Sequence, residues 1–218
     1  MFESLENRIM FDNTGVAPVP IGISLADGVL RIKGAATHDT GVVSFSFVSQ
    51  KLTATLDRWQ FADTEYGPLP VEWPTVVKQF DPAQVQSIMF YGMDGDDGFS
   101  NNTWIKSTAF GGAGNDVLKG GTGADVLRGG DGHDDLFGRE GNDSVWGDAG
   151  SDLLVGGAGS DLLIAKDGIG GNDDVYGNNQ DGTGGANATD VAHIDKEVFY
   201  GFFPAFDFVT GCEQVEAD

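Results

Sequence analysis

From residue 111 to residue 164 a single aliphatic position recurs every nine residues: Leu118, Leu127, Leu136, Val145, Leu154 and Leu163. Side chains alternate across a strand, so each of these predicts a strand only about three residues long with one inward-pointing side chain. A period of nine repeated in register predicts stacked β coils whose cores are built from those aliphatic rows. Upstream, the runs 21–25, 29–32, 42–48, 52–56, 76–80 and 86–91 alternate or are β-branched, and they predict further short strands without any long helical period. Residues 57–74, with Trp59, Trp73 and three prolines, read as a surface loop between them. Residues 191–194 predict one more strand, ahead of an aromatic tail holding Phe199, Tyr200, Phe202, Phe203, Phe206 and Phe208.

The polar positions of the repeat are more uniform than the apolar ones. Units beginning at Gly111, Gly120, Gly129, Gly138, Gly147 and Gly156 all carry Gly at the first and fourth positions and Asp at the sixth. Two depart at the second position, where Arg139 and Asp148 replace the usual glycine. A degenerate unit at 92–100 keeps the frame below the array, and one at 168–176 recovers it after three extra residues, 165–167. Residues 177–185, with Asp181, read as a last weak turn. Glycines at positions one, two and four predict tight turns with positive φ, in which peptide carbonyls point into the bend.

Charge makes this pattern chemical. The chain has 34 acidic and 12 basic residues, a formal charge of -22, which excludes nucleic acid as a natural partner. Carboxylates at regular spacing are suited to neutralisation by cations. Calcium takes 6 to 8 oxygen ligands, from carboxylates and carbonyls alike, and one turn supplies about half of that shell. A second turn stacked on the first supplies the rest if two nonapeptides make one coil. Asp116, Asp134 and Asp152 then line one edge, and Asp125, Asp143 and Asp161 the other. Roughly four sites follow from the strict array, with about three more from pairing Asp97 with Asp116, Asp152 with Asp173 and Asp161 with Asp181. Asp97 is the lower end of its row on this reading. The aspartates off the sixth position, such as Asp96 and Asp148, add to the local field without ligating.

With these residues in view, the array resembles the RTX, or hemolysin-type, calcium-binding repeats of secreted bacterial proteins, over residues 92–176. The resemblance implies a right-handed parallel β-roll, extracellular calcium, several ions, and ligation by the sixth-position aspartates together with carbonyls of the glycine turn. Carried onto this chain, that ligand set is Asp97, Gly112, Gly114, Asp116, Gly121, Gly123, Asp125, Gly130, Gly132, Asp134, Gly141, Asp143, Gly150, Asp152, Gly157, Gly159, Asp161 and Asp173. Residues 29–56 look like the degenerate β-coil that often precedes such arrays. The stretch Leu5-Glu6-Asn7-Arg8-Ile9-Met10 is similar to the LExR-type N-terminal motif of exported planctomycete proteins, with Ile9 and Met10 in place of the usual paired leucines.

The expected protein is all-β: an N-terminal segment (1–19), an irregular β-rich region (20–91), the calcium roll (92–185), and a C-terminal strand and aromatic cap (186–218). The cap is expected to fold back over Phe137, Trp146, Leu153, Val155, Leu162 and Ile164, the outward apolar residues of the array. Cys212 is the only cysteine, so no internal disulfide forms. His38, His133 and His193 are dispersed, and neither H-E-x-x-H, G-x-S-x-G nor a P-loop occurs, so no enzyme is expected. No apolar stretch is long enough to span a membrane, and the first residues lack a standard signal peptide. The functional reading is an extracellular or cell-surface calcium-binding protein with a structural or adhesive role. A reading from a different class is a calcium-dependent secretion and folding module of a larger secreted hydrolase. Self-association through the apolar outer face, and cell-surface polysaccharide bound by Trp59 and Trp73, are the partners considered beyond calcium.

Overall fold

A computed structural model describes residues 21–64, 67–72, 74–165, 173–177, 190–194, 198–200, 203–205, 208–210, 212 and 214–217. The chain winds between two sheets, placing one strand of each nonapeptide alternately in one and then the other. The nine-stranded sheet runs Gly22–Ala26, Val29–Lys33, Ser87–Asp94, Ser107–Ala113, Val126–Asp131, Ser144–Ala149, Leu162–Ala165, Val191–Ile194 and Gln214–Ala217. The opposite sheet runs Gly67–Glu72, Lys51–Thr64, His38–Ser46, Gly98–Asn102, Val117–Lys119, Asp135–Glu140, Leu153–Ala158, Asp174–Tyr176 and Phe208–Thr210, with Val76–Phe80 also paired to Lys51–Thr64. From Gly98 onward every strand in the two sheets pairs in parallel with its neighbours one coil away. The architecture is an all-β solenoid of the β-roll kind.

Register follows from the nonapeptide period. Val126, Leu127 and Arg128 face Ser144, Val145 and Trp146, so inward residues stack on inward residues. Ala109, Leu127, Val145, Leu163 and Ala192 form one fully buried row, and Phe99, Leu118, Leu136, Leu154 and Val175 the other. The core is one residue wide on each side. Burying a leucine contributes about 2 kcal/mol, and each unit orders nine residues at roughly 1 kcal/mol or more apiece, so this core alone does not hold the turns.

Three sequence expectations change. Residues 57–74 are not a surface loop, because Lys51–Thr64 continues through the first part and pairs antiparallel with Gly67–Glu72. Leu52, Ala54 and Leu56 alternate into the core and anchor that long strand. Pro68 and Pro70 lie in the terminal strand of the sheet, where a missing N–H is tolerated. Residues 29–56 also divide: Val29–Lys33 and His38–Ser46 form a coil that continues the roll, but Lys51–Thr64 turns back antiparallel on it. At the other end, Phe208–Thr210 and Gln214–Ala217 pair in parallel with Asp174–Tyr176 and Val191–Ile194. The tail therefore adds a strand to the open end of each sheet, while the aromatic side chains expected to cap the outer face lie outside the described residues.

Candidate metal centre

Each turn of the roll presents its sixth-position carboxylate to the turn below, and backbone hydrogen bonds lock the two together. Asp116 N–H donates to Asp134 Oδ1 at 2.8 Å, Asp134 N–H to Asp152 Oδ1 at 2.9 Å, and Asp152 N–H to Asp173 Oδ1 at 2.8 Å. The second edge repeats this, Asp125 to Asp143 and Asp143 to Asp161, each at 2.8 Å. Two in-register columns of carboxylates result, every member at most 3% exposed.

One oxygen of each carboxylate is thus fixed by the coil below. At Asp125 the other accepts from Gly121 N–H at 2.6 Å, but Oδ2 of Asp97, Asp116, Asp134, Asp143 and Asp161 is buried and accepts no hydrogen bond from the protein. It points at the first-position glycine of its own unit and at a carbonyl of the next coil. A Cβ placed on Gly111 would overlap Asp116 Oδ2 and stand 2.8 Å from Gly129 O, and one on Gly129 would overlap Asp134 Oδ2 and stand 2.7 Å from Gly147 O. The missing side chain leaves a cradle where carboxylate and carbonyl oxygens from two coils converge. This corrects the role expected of these glycines, because positive φ occurs at second and fourth positions such as Gly112, Gly114, Gly130 and Gly132 but not at Gly111, Gly120 or Gly129. Position one needs glycine for space alone, whereas the second and fourth combine a positive φ with an overlap of their own, Gly112 on Met93 O and Gly114 on Gly95 O. Gly121 and Gly123 also lack positive φ, since the half-coil beneath them, around Thr103 and Trp104, is not a glycine turn.

Electrostatics agree with the geometry. Burial pushes the carboxyls of Asp116 and Asp161 up to about 6, Asp134 up to about 7, and Asp97 and Asp143 up to about 8, with neighbouring aspartates adding repulsion. Asp125 is raised by burial as well, against hydrogen bonds from Gly121 and Ser107. A buried column of acceptors with unfilled oxygens suits a hard cation. Among the described residues no three His, Cys, Asp or Glu side chains gather into one cluster, so backbone carbonyls have to supply most of any shell.

The structure lengthens both columns beyond what the consensus announces. Asp97 is not an end, because Asp39 N–H donates to its Oδ1 at 2.7 Å. Asp190, whose Oδ1 accepts from Asp161 N–H at 3.0 Å, occupies the place expected for Asp181, which lies outside the described residues. A sequence signal existed in both cases: Gly34 and Gly185 stand five residues before Asp39 and Asp190, as first- and sixth-position residues do. At the base of the second column Ser107 takes the aspartate position, its N–H and hydroxyl both donating to Asp125 Oδ1. Arg139 places its guanidinium there, donating to Gly120 O at 3.0 Å and Asn101 O at 3.2 Å. Arg139 and Asp148 hold the positive φ of the glycines they replace, 79° and 69°. Asp148 pairs with Arg128, and Asp96 accepts from Asn115 N–H, so both find protein partners outside the columns.

The model of the RTX calcium-binding nonapeptide repeat (4 copies) matches residues 110–145, 128–163 and 146–183. The chain therefore carries an RTX-type calcium-binding nonapeptide repeat region, built here as a β-solenoid with paired aspartate columns. No curated protein matches the chain. Residues 5–10, which resemble an export motif, lie outside the described residues and outside the matched region. No helix among the described residues is long and apolar enough to cross a membrane.

Proposed function

We propose that the chain is an extracellular structural protein whose roll is assembled by calcium ions, each bound between successive coils. In this reading an ion between Asp116 and Asp134 takes the Asp116 carboxylate and the Gly129 carbonyl, with the remaining oxygens coming from the glycine turns around Gly112, Gly114, Gly130 and Gly132. The same arrangement repeats between Asp97 and Asp116, Asp134 and Asp152, Asp152 and Asp173, and along the second column through Asp125, Asp143, Asp161 and Asp190. Calcium suits the site because the donors are all oxygen and the shell is irregular, whereas magnesium demands a compact octahedron and keeps its waters.

The observation that carries the reading is the column of buried Oδ2 atoms with no hydrogen bond, each beside a carbonyl of the next coil. Ions there supply the stability that a one-residue-wide core does not. In this reading the roll requires roughly 10⁻⁴ to 10⁻³ M calcium, the range of extracellular modules, and serves a structural or adhesive role in a secreted or cell-surface setting. The test is calorimetric and circular-dichroism titration of the chelator-treated chain with calcium and with magnesium. Cooperative gain of β structure with calcium alone is expected; a complete β signal in excess chelator, with no heat of calcium binding, refutes the proposal.

A further inference from the structure

Residues 34–42, Gly-Ala-Ala-Thr-His-Asp-Thr-Gly-Val, have none of the doubled glycines of the array and lie outside the matched region. The backbone nonetheless treats them as a nonapeptide unit. Gly34 N–H donates to Tyr91 O at 2.8 Å, as Gly120 N–H donates to Phe137 O at 2.8 Å. Ala36 bridges Asp94 in parallel, third position to third position. A Cβ on the fourth-position Gly95 would stand 2.5 Å from Thr37 O, which matches the overlap of Gly114 with Gly95 O one coil higher. At the fifth position, Asp96 N–H donates to His38 Nδ1 at 2.9 Å, and the same link runs upward from Asn115 N–H to Asp96 Oδ1 and from His133 N–H to Asn115 Oδ1, each at 2.9 Å. The eighth position departs along with the second and fourth: Gly41 replaces the inward aliphatic, because a Cβ there would stand 2.8 Å from the Phe90 ring and 3.3 Å from Ile32.

The first- and sixth-position residues outline the same cradle, in the form it takes at Asp125, where Oδ2 also accepts from the second-position N–H. A Cβ on Gly34 would overlap Asp39 Oδ2 and stand 2.7 Å from Gly92 O, as at Gly111 and Gly129. Asp39 is 1% exposed, and its Oδ1 accepts no hydrogen bond, while Oδ2 is held by Ala35 N–H at 2.7 Å and by the Thr37 hydroxyl. We propose that calcium binds between Asp39 and Asp97, held by the Asp39 carboxylate and the Gly92 carbonyl, and fastens the non-repeat half of the chain to the roll. Beneath it the chain leaves the coil path for the hairpin of Lys51–Thr64, so this is where the metal column meets an ordinary hydrophobic core of Leu30, Ile32, Leu52 and Leu56. The inference rests on the calcium reading of the repeats and extends it by one coil.

Native mass spectrometry of the full chain at saturating calcium, comparing wild type with Asp39→Asn and Gly34→Ala, tests it. Each variant is expected to lose one ion and keep all the others; the glycine variant fills the cradle without removing a charge. Hydrogen exchange on wild type serves where a variant does not fold: protection of peptide 34–42 should depend on calcium concentration. An unchanged ion count in either folded variant, or protection of 34–42 independent of calcium while that of 111–164 responds to it, overturns this inference and leaves the repeat sites intact. Absence of any bound calcium in wild type refutes the repeat reading itself, and this one with it.

Discussion

Chelating calcium at two pH values tests the electrostatic argument most directly. In the ion-free roll the aspartate columns must either ionise inside the protein or take up protons. Their folded carboxyls are raised by burial to about 6 for Asp39, Asp116 and Asp161, about 7 for Asp134 and about 8 for Asp97 and Asp143, against an ordinary value of 3.8. A group raised on folding binds more protons in the native state, so its contribution to stability falls as pH rises from its unfolded value through its folded one. The window here is about pH 4 to 8. At pH 8 each such group opposes folding by about 3 to 6 kcal/mol, and at pH 5 by about half that or less. Across the columns the difference is on the order of 10 kcal/mol, comparable with the whole stability of a typical domain. The chelated protein should therefore lack roll structure at pH 8 and regain much of it near pH 5, as followed by far-ultraviolet circular dichroism and by exchange protection of residues 111–164. With saturating calcium the sign reverses, because the ion holds the carboxylates ionised and acid displaces it, so stability is highest at pH 8 and falls with acidification. A chelated protein equally structured at both pH values, or better structured at pH 8, would refute the argument that ionised columns oppose the fold.

Asp134→Ala should disturb the sites on both of its sides and remove about two ions, whereas Asp173→Ala, near the upper end of the same column, should remove fewer; calcium stoichiometry by native mass spectrometry separates them. Gly129→Ala should cost more than 2 kcal/mol in calcium-loaded denaturation although its φ is ordinary, because the new Cβ occupies the cradle beside Asp134 Oδ2. Met93→Gly should stabilise the loaded protein by roughly 1 kcal/mol, since Met93 is 43% exposed and holds a φ of 99° that suits glycine; an unchanged or lowered denaturation midpoint would count against backbone strain there. Leu136→Ala should cost about 2 to 5 kcal/mol at saturating calcium, because Leu136 is fully buried in a row with no second layer behind it.

Much of the fold was legible because the roll is periodic. A leucine every ninth residue places one inward side chain per strand, and stacking copies of one unit leaves a single register, so Leu118, Leu136 and Leu154 align without further information. The two aspartate columns follow from the same arithmetic, since residues eighteen apart share an edge once two units make a coil. Local conformational demand was also readable where the second and fourth positions of a unit are glycine, although the first-position glycines answer to a different requirement. Only the tertiary structure reveals that those glycines clear room for a neighbouring carboxylate, because the crowding comes from an aspartate five residues on and a carbonyl one coil away. Likewise the hairpin over residues 51–72 depends on where an edge strand finds a partner, and two of the three prolines that suggested a loop, Pro68 and Pro70, are acceptable on that edge. Asp39 and Asp190 joined the columns without the glycine-rich consensus, since a coil above or below imposes its hydrogen-bond positions on whatever sequence stacks against it. The sequence by itself thus determined the repeating unit and its ligand chemistry, which are local and periodic. Where the columns begin and end was decided by long-range stacking, in which residues 39 and 97, a separation of 58, meet only because the chain between them folds away and returns.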